Sequence, residues 1–204
     1  IQHYTAQGAM GRLLDADTDD LTLSPFMVFE IEDLMNLGDK NLIPVLTYLF
    51  HRIETSLDGT PTILVLDEAW IMLGHPVFRA KIREWLKVMR KANCAVVLAT
   101  QSLSDAKNSG ILDVLAESCP TKIFLPNITA TQEAQRELYV GMGLNETQIN
   151  IIARATPKRD YYAVSPLGRR QVQLALGPKT LAFVGSSDKE SIARIQELET
   201  EYGV

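Results

Sequence analysis

Cysteine is scarce in this 204-residue chain, which contains only Cys94 and Cys119. Two cysteines cannot build the framework of several disulfides that stabilises small secreted domains. We therefore exclude that class of protein, and the composition is compatible with a reducing compartment. Cys94 opens an apolar run and is predicted to be a small buried residue.

Long apolar runs and an excess of positive charge are also missing. No stretch reaches the ~18 consecutive apolar residues typical of a membrane-spanning helix. The net charge of −5 gives no general support for nucleic-acid binding, although it is compatible with a local basic patch. No signal peptide is visible, and the chain begins with Ile1 rather than methionine. We therefore expect it to be a segment of a longer protein.

The chain instead shows strand-like apolar runs that alternate with amphipathic helices, which predicts an α/β domain with a mainly parallel sheet. Its length predicts a single domain over residues 1–204. Strands are predicted at residues 26–31, 63–66, 94–100, 121–125 and 181–184, and helices at 41–56, 76–92, 131–139 and 146–154. Pro44 is assigned to a first helical turn, and Ser104 and Ser187 are assigned as helix caps. An antiparallel hairpin is predicted from residues 161–175, with a final helix over 188–201.

The most informative stretch is the apolar run Ile63–Leu66, which leads directly into Asp67 and Glu68. Such a run predicts a strand buried on both faces, and the two carboxylates then lie at its carboxyl end, where open α/β sheets bind ligands. This is the Walker B pattern of ATPases. There the first carboxylate holds Mg²⁺ and the second polarises the attacking water. The alternative is an acidic helix N-terminus, where carboxylates suit the helix dipole.

Two further side chains fit nucleotide hydrolysis. Gln101 follows the next predicted strand, and its amide can donate to a phosphate while accepting from water. The alternative is a glutamine that begins a loop. Arg90 lies eleven residues before Gln101 and can act as an arginine finger that stabilises phosphoryl charge. The alternative is a surface cation at the end of a helix.

Several motifs resemble the TrbE-like conjugal-transfer ATPases of type IV secretion systems, over essentially the whole chain. These motifs are residues 66–70 (LDEAW), 81–93 (KIREWLKVMRKAN), 99–102 (ATQS), 119–127 (CPTKIFLPN) and 165–170 (SPLGRR). The resemblance implies a RecA-like P-loop NTPase fold with a carboxyl-terminal hairpin and helix. It also implies ATP and Mg²⁺ as cofactors and a catalytic role for Glu68, Gln101 and Arg90, with Asp67 at the metal.

The same resemblance implies how the protein works in the cell. We expect a homo-oligomer, a hexamer by family likeness, at the cytoplasmic face of the bacterial inner membrane. It would contact other type IV secretion components and reach the membrane through them or through upstream segments. Arg90 would reach a neighbouring subunit's nucleotide, and Arg159 is a second, nucleotide-contacting candidate. Arg169 and Arg170 are interpreted as surface cations of a hairpin turn.

One departure from the family pattern is the absence of Gly-x-x-x-x-Gly-Lys-[Ser/Thr] from the chain. This loop supplies the backbone N–H groups and the lysine that hold phosphates. We expect it upstream of Ile1, so these 204 residues alone should bind ATP weakly or not at all and should be inactive as an ATPase. Without the strand that carries the loop, the sheet should expose strand edges, and we expect rearrangement or self-association.

Two other functions remain open. One is a nucleotide-free module that docks other secretion components, and retention of Asp67, Glu68, Arg90 and Gln101 argues against it. The other is a DNA-binding motor subunit, for which the basic helix over residues 79–91 gives slight support. The sequence shows no aromatic residues interleaved with basic ones of the kind that bind single strands.

Overall fold

A computed structural model describes residues 4–5, 8, 11–15, 17–19, 21, 24–31, 34, 38–185 and 189–202. The chain separates into two compact units. The first contains residues 1–67 and 87–99, and the second contains residues 68–86 and 100–204. None of the described helices is both long enough and apolar enough to cross a membrane.

The first unit is built around a two-stranded parallel sheet. It contains the short helix α1 (Gly11–Leu14), the long helix α2 (Asp39–Ser56), and the strands β1 (Thr62–Leu66) and β2 (Cys94–Leu98). Thr62 lies opposite Cys94 and Leu66 lies opposite Leu98, so the two strands end at the same edge. A 3-10 turn over Met89–Ala92 leads into β2. Asn93 ends this turn in the left-handed conformation with φ 57°, which asparagine adopts more readily than most residues.

The faces of this sheet differ from the expectation of burial on both sides. Leu66 and Cys94 are buried, whereas Ile63, Val65 and Val97 are 71%, 60% and 48% exposed. The register places Ile63 beside Ala95 and Val65 beside Val97, so these four side chains form one continuous apolar face. The prediction of a doubly buried β1 is wrong because the described part of the chain places no covering layer on this face.

Helix α2 confirms the predicted helix at residues 41–56 but extends it by two residues at its start. Pro44 is therefore the sixth helical residue, and its assignment to the first turn is wrong. Because proline has no N–H, the carbonyl of Lys40 loses its usual helical donor. The hydroxyl of Tyr4 donates to that carbonyl instead, at 2.6 Å. Leu42, Leu46 and Phe50 form the buried stripe of the helix.

The second unit combines short helices with an antiparallel sheet. Its helices are α3 (Trp70–Gly74), most of α4 (Pro76–Val88), α5 (Leu103–Asn108), α6 (Leu112–Ser118), α7 (Glu133–Gly141), α8 (Glu146–Arg154), α9 (Pro178–Val184) and α10 (Lys189–Tyr202). Its strands are β3 (Lys122–Phe124), β4 (Asp160–Ser165) and β5 (Gly168–Gln173).

The antiparallel sheet has the order β3-β4-β5 and confirms the predicted hairpin. It also shows that the expected mainly parallel sheet is wrong for the described residues, since only β1 and β2 pair in parallel. One face of this sheet packs on α7 and α8 through an apolar cluster. The cluster contains Phe124, Ala130, Tyr139, Leu144, Ile149, Ile152 and Tyr162.

Local sequence signals differ in how well they match the elements that form. Residues 146–154 form the predicted helix, and Asn145 and Gln148 form a capping box at its start. Residues 26–31 do not form a strand, because no described segment pairs with them. Residues 181–184 form a helix rather than a strand, because Gly177 and Pro178 supply a helix start. Ser102 rather than Ser104 caps α5, and Ser187 lies outside the described residues.

Candidate functional site: the carboxyl ends of β1 and β2

The two parallel strands deliver the candidate site residues from neighbouring positions. The N–H of Ala99 donates to the carbonyl of Leu66 at 3.0 Å, one residue beyond the register of β2. Asp67 follows β1 directly, and its side chain is exposed. Gln101 follows three residues after the end of β2 and is also exposed. Asp67 and Gln101 thus follow two paired strands that end at the same edge of the sheet.

Glu68 adopts a backbone conformation that is uncommon for a residue with a side chain. Its φ is 48°, in the left-handed region. This region is sterically unfavourable for residues with a Cβ atom, and such strain occurs preferentially at functional sites. The turn redirects the chain between β1 and α3, while the next residue, Ala69, is 1% exposed.

The structure brings Glu68 and Gln101 together. The side-chain amide N–H of Gln101 (Nε2) donates to Oε1 of Glu68 at 3.0 Å. A hydrogen bond to an ionised carboxylate is stronger than one between neutral groups, so the bond fixes the direction of the carboxylate. These residues are separated by 33 positions in the chain. Sequence spacing alone predicts that they share a sheet edge but not that they bond.

Short helices that follow the two residues hold this pair in place. Helix α3 begins two residues after Glu68, and α5 begins two residues after Gln101. The two helices pack against each other. The Ser102 side chain accepts the N–H of Ser104 at the start of α5. Glu68 and Gln101 are therefore fixed by packed elements rather than by loops alone.

Arg79 stabilises the far end of α3. Its Nε donates to the carbonyl of Leu73 at 2.9 Å, and its Nη2 donates to the carbonyl of Gly74 at 3.2 Å. These carbonyls lie at a helix C-terminus, where a cation is favourable. Arg83 similarly donates to the carbonyl of Gly110 at 2.6 Å. Two cations of the basic helix thus bind backbone carbonyls, which weakens the interpretation of that helix as a DNA-binding face.

Arg90 lies in the 3-10 turn before β2, in the first unit, and is exposed. Glu68 and Gln101 lie in the second unit. An exposed arginine on a short, tightly turned segment can contact a group outside the chain, as an arginine finger requires. Its role in hydrolysis stays a prediction.

Arg159 contacts a buried carboxylate that the sequence patterns do not single out. Asp160 is 3% exposed, and its Oδ2 accepts the N–H of Thr156 at 2.8 Å. Its Oδ1 accepts from Gln173 Nε2 at 2.8 Å and from Arg159 Nε at 3.3 Å. The N–H of Thr156, followed by Arg159 and Gln173, lowers the pKa of Asp160 against the opposing effect of burial. Extending the alternation of the predicted hairpin by one residue would have placed Asp160 on the same face as residues 162 and 164, but it would not have indicated the three donors around it.

The donor set is compatible with magnesium only in a shared site. No group of three or more His, Cys, Asp or Glu side chains that could hold a metal occurs among the described residues. Mg²⁺ often uses one or two carboxylates and completes its coordination with water and substrate phosphates. Asp67 supplies one exposed carboxylate. It fits such a shared site, and it does not fit a site made wholly of protein ligands.

Most of the chain matches a known family of P-loop domains. The model of the TraG P-loop domain matches residues 1–168. The chain belongs to the TraG P-loop domain family. The resemblance that the five sequence motifs predicted is therefore confirmed.

This TraG P-loop chain is similar to curated proteins of conjugation and secretion. It is 65% identical over 202 residues to a probable conjugal transfer protein TrbE of Sinorhizobium fredii, covering 99% of the chain and 30% of that protein. It is 64% identical over 203 residues to the conjugal transfer protein TrbE of Rhizobium radiobacter, covering 100% of the chain and 25% of that protein. It is also 32% identical to the type IV secretion system protein VirB4 of Bartonella henselae, with 100% of the chain and 26% of that protein covered. The chain thus spans less than a third of these relatives.

A solved structure shares the fold of the TraG P-loop chain. VirB4 of Thermoanaerobacter pseudethanolicus matches with a TM-score of 0.65 and 22% identity. The match covers 88% of this chain and 49% of that chain. Together with the family match, it establishes an α/β P-loop-family fold with a small parallel sheet.

Proposed function

We propose that this chain is the carboxyl-side segment of a RecA-like, Mg²⁺-dependent ATPase domain that powers conjugative transfer or type IV secretion. The bond between Gln101 and Glu68 is the observation that carries this proposal. It joins the two side chains assigned to water activation and phosphate sensing from residues 33 positions apart. The TrbE and VirB4 relatives support the biological setting.

Asp67, Glu68 and Gln101 each have a defined role in the proposed reaction. Asp67 holds the magnesium ion, which neutralises phosphate charge when bound. Glu68 orients a water molecule and accepts its proton. A carboxylate has about four lone-pair sites, so Glu68 can accept from water and from Gln101 together. Gln101 orients the Glu68 carboxylate through its side-chain amide. When nucleotide binds, the same amide donates to the terminal phosphate instead. The orientation of Glu68 thereby depends on whether the site holds nucleotide.

The phosphate-binding portion of the proposed site comes from outside these residues. The chain contains no phosphate-loop motif, so the loop is proposed to precede Ile1 in the longer protein. ATP should consequently bind the 204-residue chain weakly. The whole chain is proposed to belong to a single ATPase domain, although its contacts form two compact units.

Assembly and location belong to the same proposal. The longer protein forms a homo-oligomer, proposed to be a hexamer, on the cytoplasmic face of the inner membrane with other secretion components. Arg90 contacts the nucleotide of the adjacent subunit. Arg159 is the second candidate for a contact with nucleotide. Mixing Arg90→Ala subunits with Glu68→Gln subunits should restore some of the hydrolysis. If verified mixed oligomers recover no hydrolysis, Arg90 does not act on the nucleotide of a neighbouring subunit.

A docking module without nucleotide chemistry is the second candidate. The exposed face of Ile63, Val65, Ala95 and Val97 favours it, because contiguous exposed apolar surfaces often mark interaction sites. That face is equally compatible with an ATPase domain that continues beyond this chain. Hydrolysis therefore has to separate the two candidates.

A double-mutant cycle tests the Glu68–Gln101 pair. In the longer protein that carries the phosphate loop, Gln101→Ala should reduce turnover by about tenfold or more, because the carboxylate loses its direction. In a Glu68→Gln background the same change should cost much less, since the two residues act as a unit. Gln171→Ala is the matched control, because Gln171 is an exposed glutamine of β5. If Gln101→Ala behaves like Gln171→Ala, the pair has no catalytic role.

A further inference from the structure

An open cleft of about 350 Å³ lies in the second unit, beside the turn between β4 and β5. Its apolar walls include Pro120, Met142 and Pro166. Two cationic side chains, Lys122 and Arg169, also line it. None of the four residues assigned to hydrolysis lines the cleft, so it is separate from the proposed hydrolysis site.

Strand register places the two cations on the same side of the antiparallel sheet. Lys122 lies opposite Val164 on β4, and Val164 lies opposite Arg169 on β5. The Cα atoms of Lys122 and Arg169 are thus separated by two strand spacings, roughly 9–10 Å. Both side chains are long enough to converge on one group in the cleft. Arg170 follows on the opposite face of β5, since adjacent strand residues alternate.

The ammonium group of Lys122 is held at the wall of the cleft. It donates to the carbonyl of Ala116, another lining residue, at 2.9 Å. An ammonium group has three donors, so two remain for a ligand. The guanidinium of Arg169 forms no hydrogen bond or ion pair within the described part of the chain. Its five donors can therefore bind a ligand without breaking an existing contact.

The positive charge of the cleft is not balanced from within. No aspartate or glutamate occurs among the described residues that line it. Two cations without a carboxylate favour a ligand with two negative charges over a singly charged carboxylate. The apolar walls suit an organic body attached to that charged group.

We propose that this cleft binds a phosphomonoester. The doubly charged phosphate contacts Lys122 and Arg169, and the organic portion packs on Pro120, Met142 and Pro166. The same phosphate chemistry is present in a free small metabolite and in the headgroup of phosphatidic acid. Both sources satisfy the charge and the shape of the cleft, and they can be separated experimentally.

Calorimetric titration of the 204-residue chain with glycerol 3-phosphate tests the site, at constant ionic strength. Arg169→Gln should weaken binding by about tenfold or more, because it removes a charge-assisted hydrogen bond. Arg170→Gln is the matched control, with the same charge change on the other face of β5, and should stay within about twofold of the unaltered chain. Lys122→Gln should also weaken binding, with thermal melting as a check because Lys122 supports the carbonyl of Ala116.

Cosedimentation with phosphatidylcholine vesicles, with and without phosphatidic acid, distinguishes the source of the phosphate. If glycerol 3-phosphate binds, and Arg169→Gln weakens this binding while Arg170→Gln does not, the ligand is a free phosphomonoester. If glycerol 3-phosphate does not bind, but the chain cosediments with vesicles that contain phosphatidic acid and only Arg169→Gln weakens this, the ligand is the lipid headgroup. The proposal is overturned if neither probe binds, or if Arg170→Gln weakens binding as much as Arg169→Gln.

Discussion

Glu68 combines an unfavourable backbone conformation with a defined side-chain bond. Its φ of 48° is costly for any residue with a Cβ atom, yet its carboxylate receives the amide of Gln101. A residue selected for stability alone would be glycine at this position. The strain thus supports a functional requirement for the side chain, since strained residues concentrate at functional sites.

Substitution of Glu68 measures this backbone strain directly. Glu68→Gly should be more stable than Glu68→Ala by about 1 kcal/mol, because only glycine adopts positive φ without steric cost. Urea unfolding followed by circular dichroism gives both free energies. Asp67 supplies the control pair, since it is not among the described residues with positive φ. Asp67→Gly should be no more stable than Asp67→Ala. If the glycine variant is the more stable one by the same amount at both positions, Glu68 is not strained.

Asp160 makes some of the stability dependent on acid. Its pKa lies below the usual value in the folded chain because it accepts from Thr156, Arg159 and Gln173. Folding then favours the ionised form, so this contribution is present above the unfolded pKa, at about pH 4. It is lost as pH falls through the lower folded pKa.

Asp160→Asn should therefore lower the melting temperature near neutral pH and flatten its dependence on pH below about 4. Thermal melts across this range provide the measurement. Glu117→Gln is the control, because Glu117 is an exposed carboxylate of α6. An unchanged acid dependence in Asp160→Asn would show that the network around Asp160 does not contribute.

Some of the site follows from residue order and some does not. The apolar run before Asp67 and the polar residue after β2 predict a shared edge, because parallel strands end together. The bond between Glu68 and Gln101 depends on the packing of α3 and α5, and the sequence patterns do not predict α3. Asp160 escapes prediction because a single charged residue at a strand start gives no sign that three donors surround it.

At the scale of elements, α2 includes a proline that the fold accommodates. Pro44 leaves the carbonyl of Lys40 without its usual donor, and Tyr4 replaces that donor from 36 residues away. This long-range bond connects the first described residues to the long helix. It explains how a proline can occupy the interior of an otherwise regular helix.

The Tyr4 contact can be tested by a double-mutant cycle with Pro44. Tyr4→Phe should destabilise the chain by about 0.5–1.5 kcal/mol, because it removes one hydrogen bond. In a Pro44→Ala background the loss should be smaller, because alanine restores a backbone donor to the helix at that position. Chemical unfolding of the four variants measures the coupling. Additive effects would mean that Tyr4 does not substitute for the missing N–H.

Elements with strong local signals are predicted well from the sequence. Helix α8 has both an amphipathic pattern and a capping box, and the hairpin has alternating strands around a Pro-Leu-Gly turn. Two apolar segments predicted to be strands are not strands. Residues 26–31 are unpaired among the described residues, and residues 181–184 lie in a helix. Strand formation needs a partner, which local composition does not reveal, and Gly177 with Pro178 favours a helix start.

At the scale of the whole molecule, the apolar face of the parallel sheet is a surface without cover among the described residues. Ile63, Val65, Ala95 and Val97 are adjacent in register, and Ile63, Val65 and Val97 are strongly exposed. The missing phosphate-loop strand is expected to leave unprotected strand edges, and the exposed face adds a further driving force for association. Apolar surface of this kind favours burial against a second copy at high concentration.

Val65→Lys should reduce self-association of the 204-residue chain, because a charge on this face opposes its burial. Light scattering over a range of concentrations measures the average mass. Ile128→Lys is a matched control, because Ile128 is 86% exposed but lies outside this face. A wild-type chain that stays monomeric throughout, or an equal effect of both substitutions, would contradict the expectation.

ATP hydrolysis by the longer protein that includes the phosphate loop tests the central proposal most directly. Wild type and Glu68→Gln should be compared, with nucleotide binding and oligomerisation measured in parallel. We predict that Glu68→Gln binds nucleotide normally but loses turnover by about 10²-fold or more, because it cannot accept a proton from water. Absence of turnover in both folded proteins would favour a docking module. Turnover at the wild-type rate in Glu68→Gln would contradict the proposed role of Glu68.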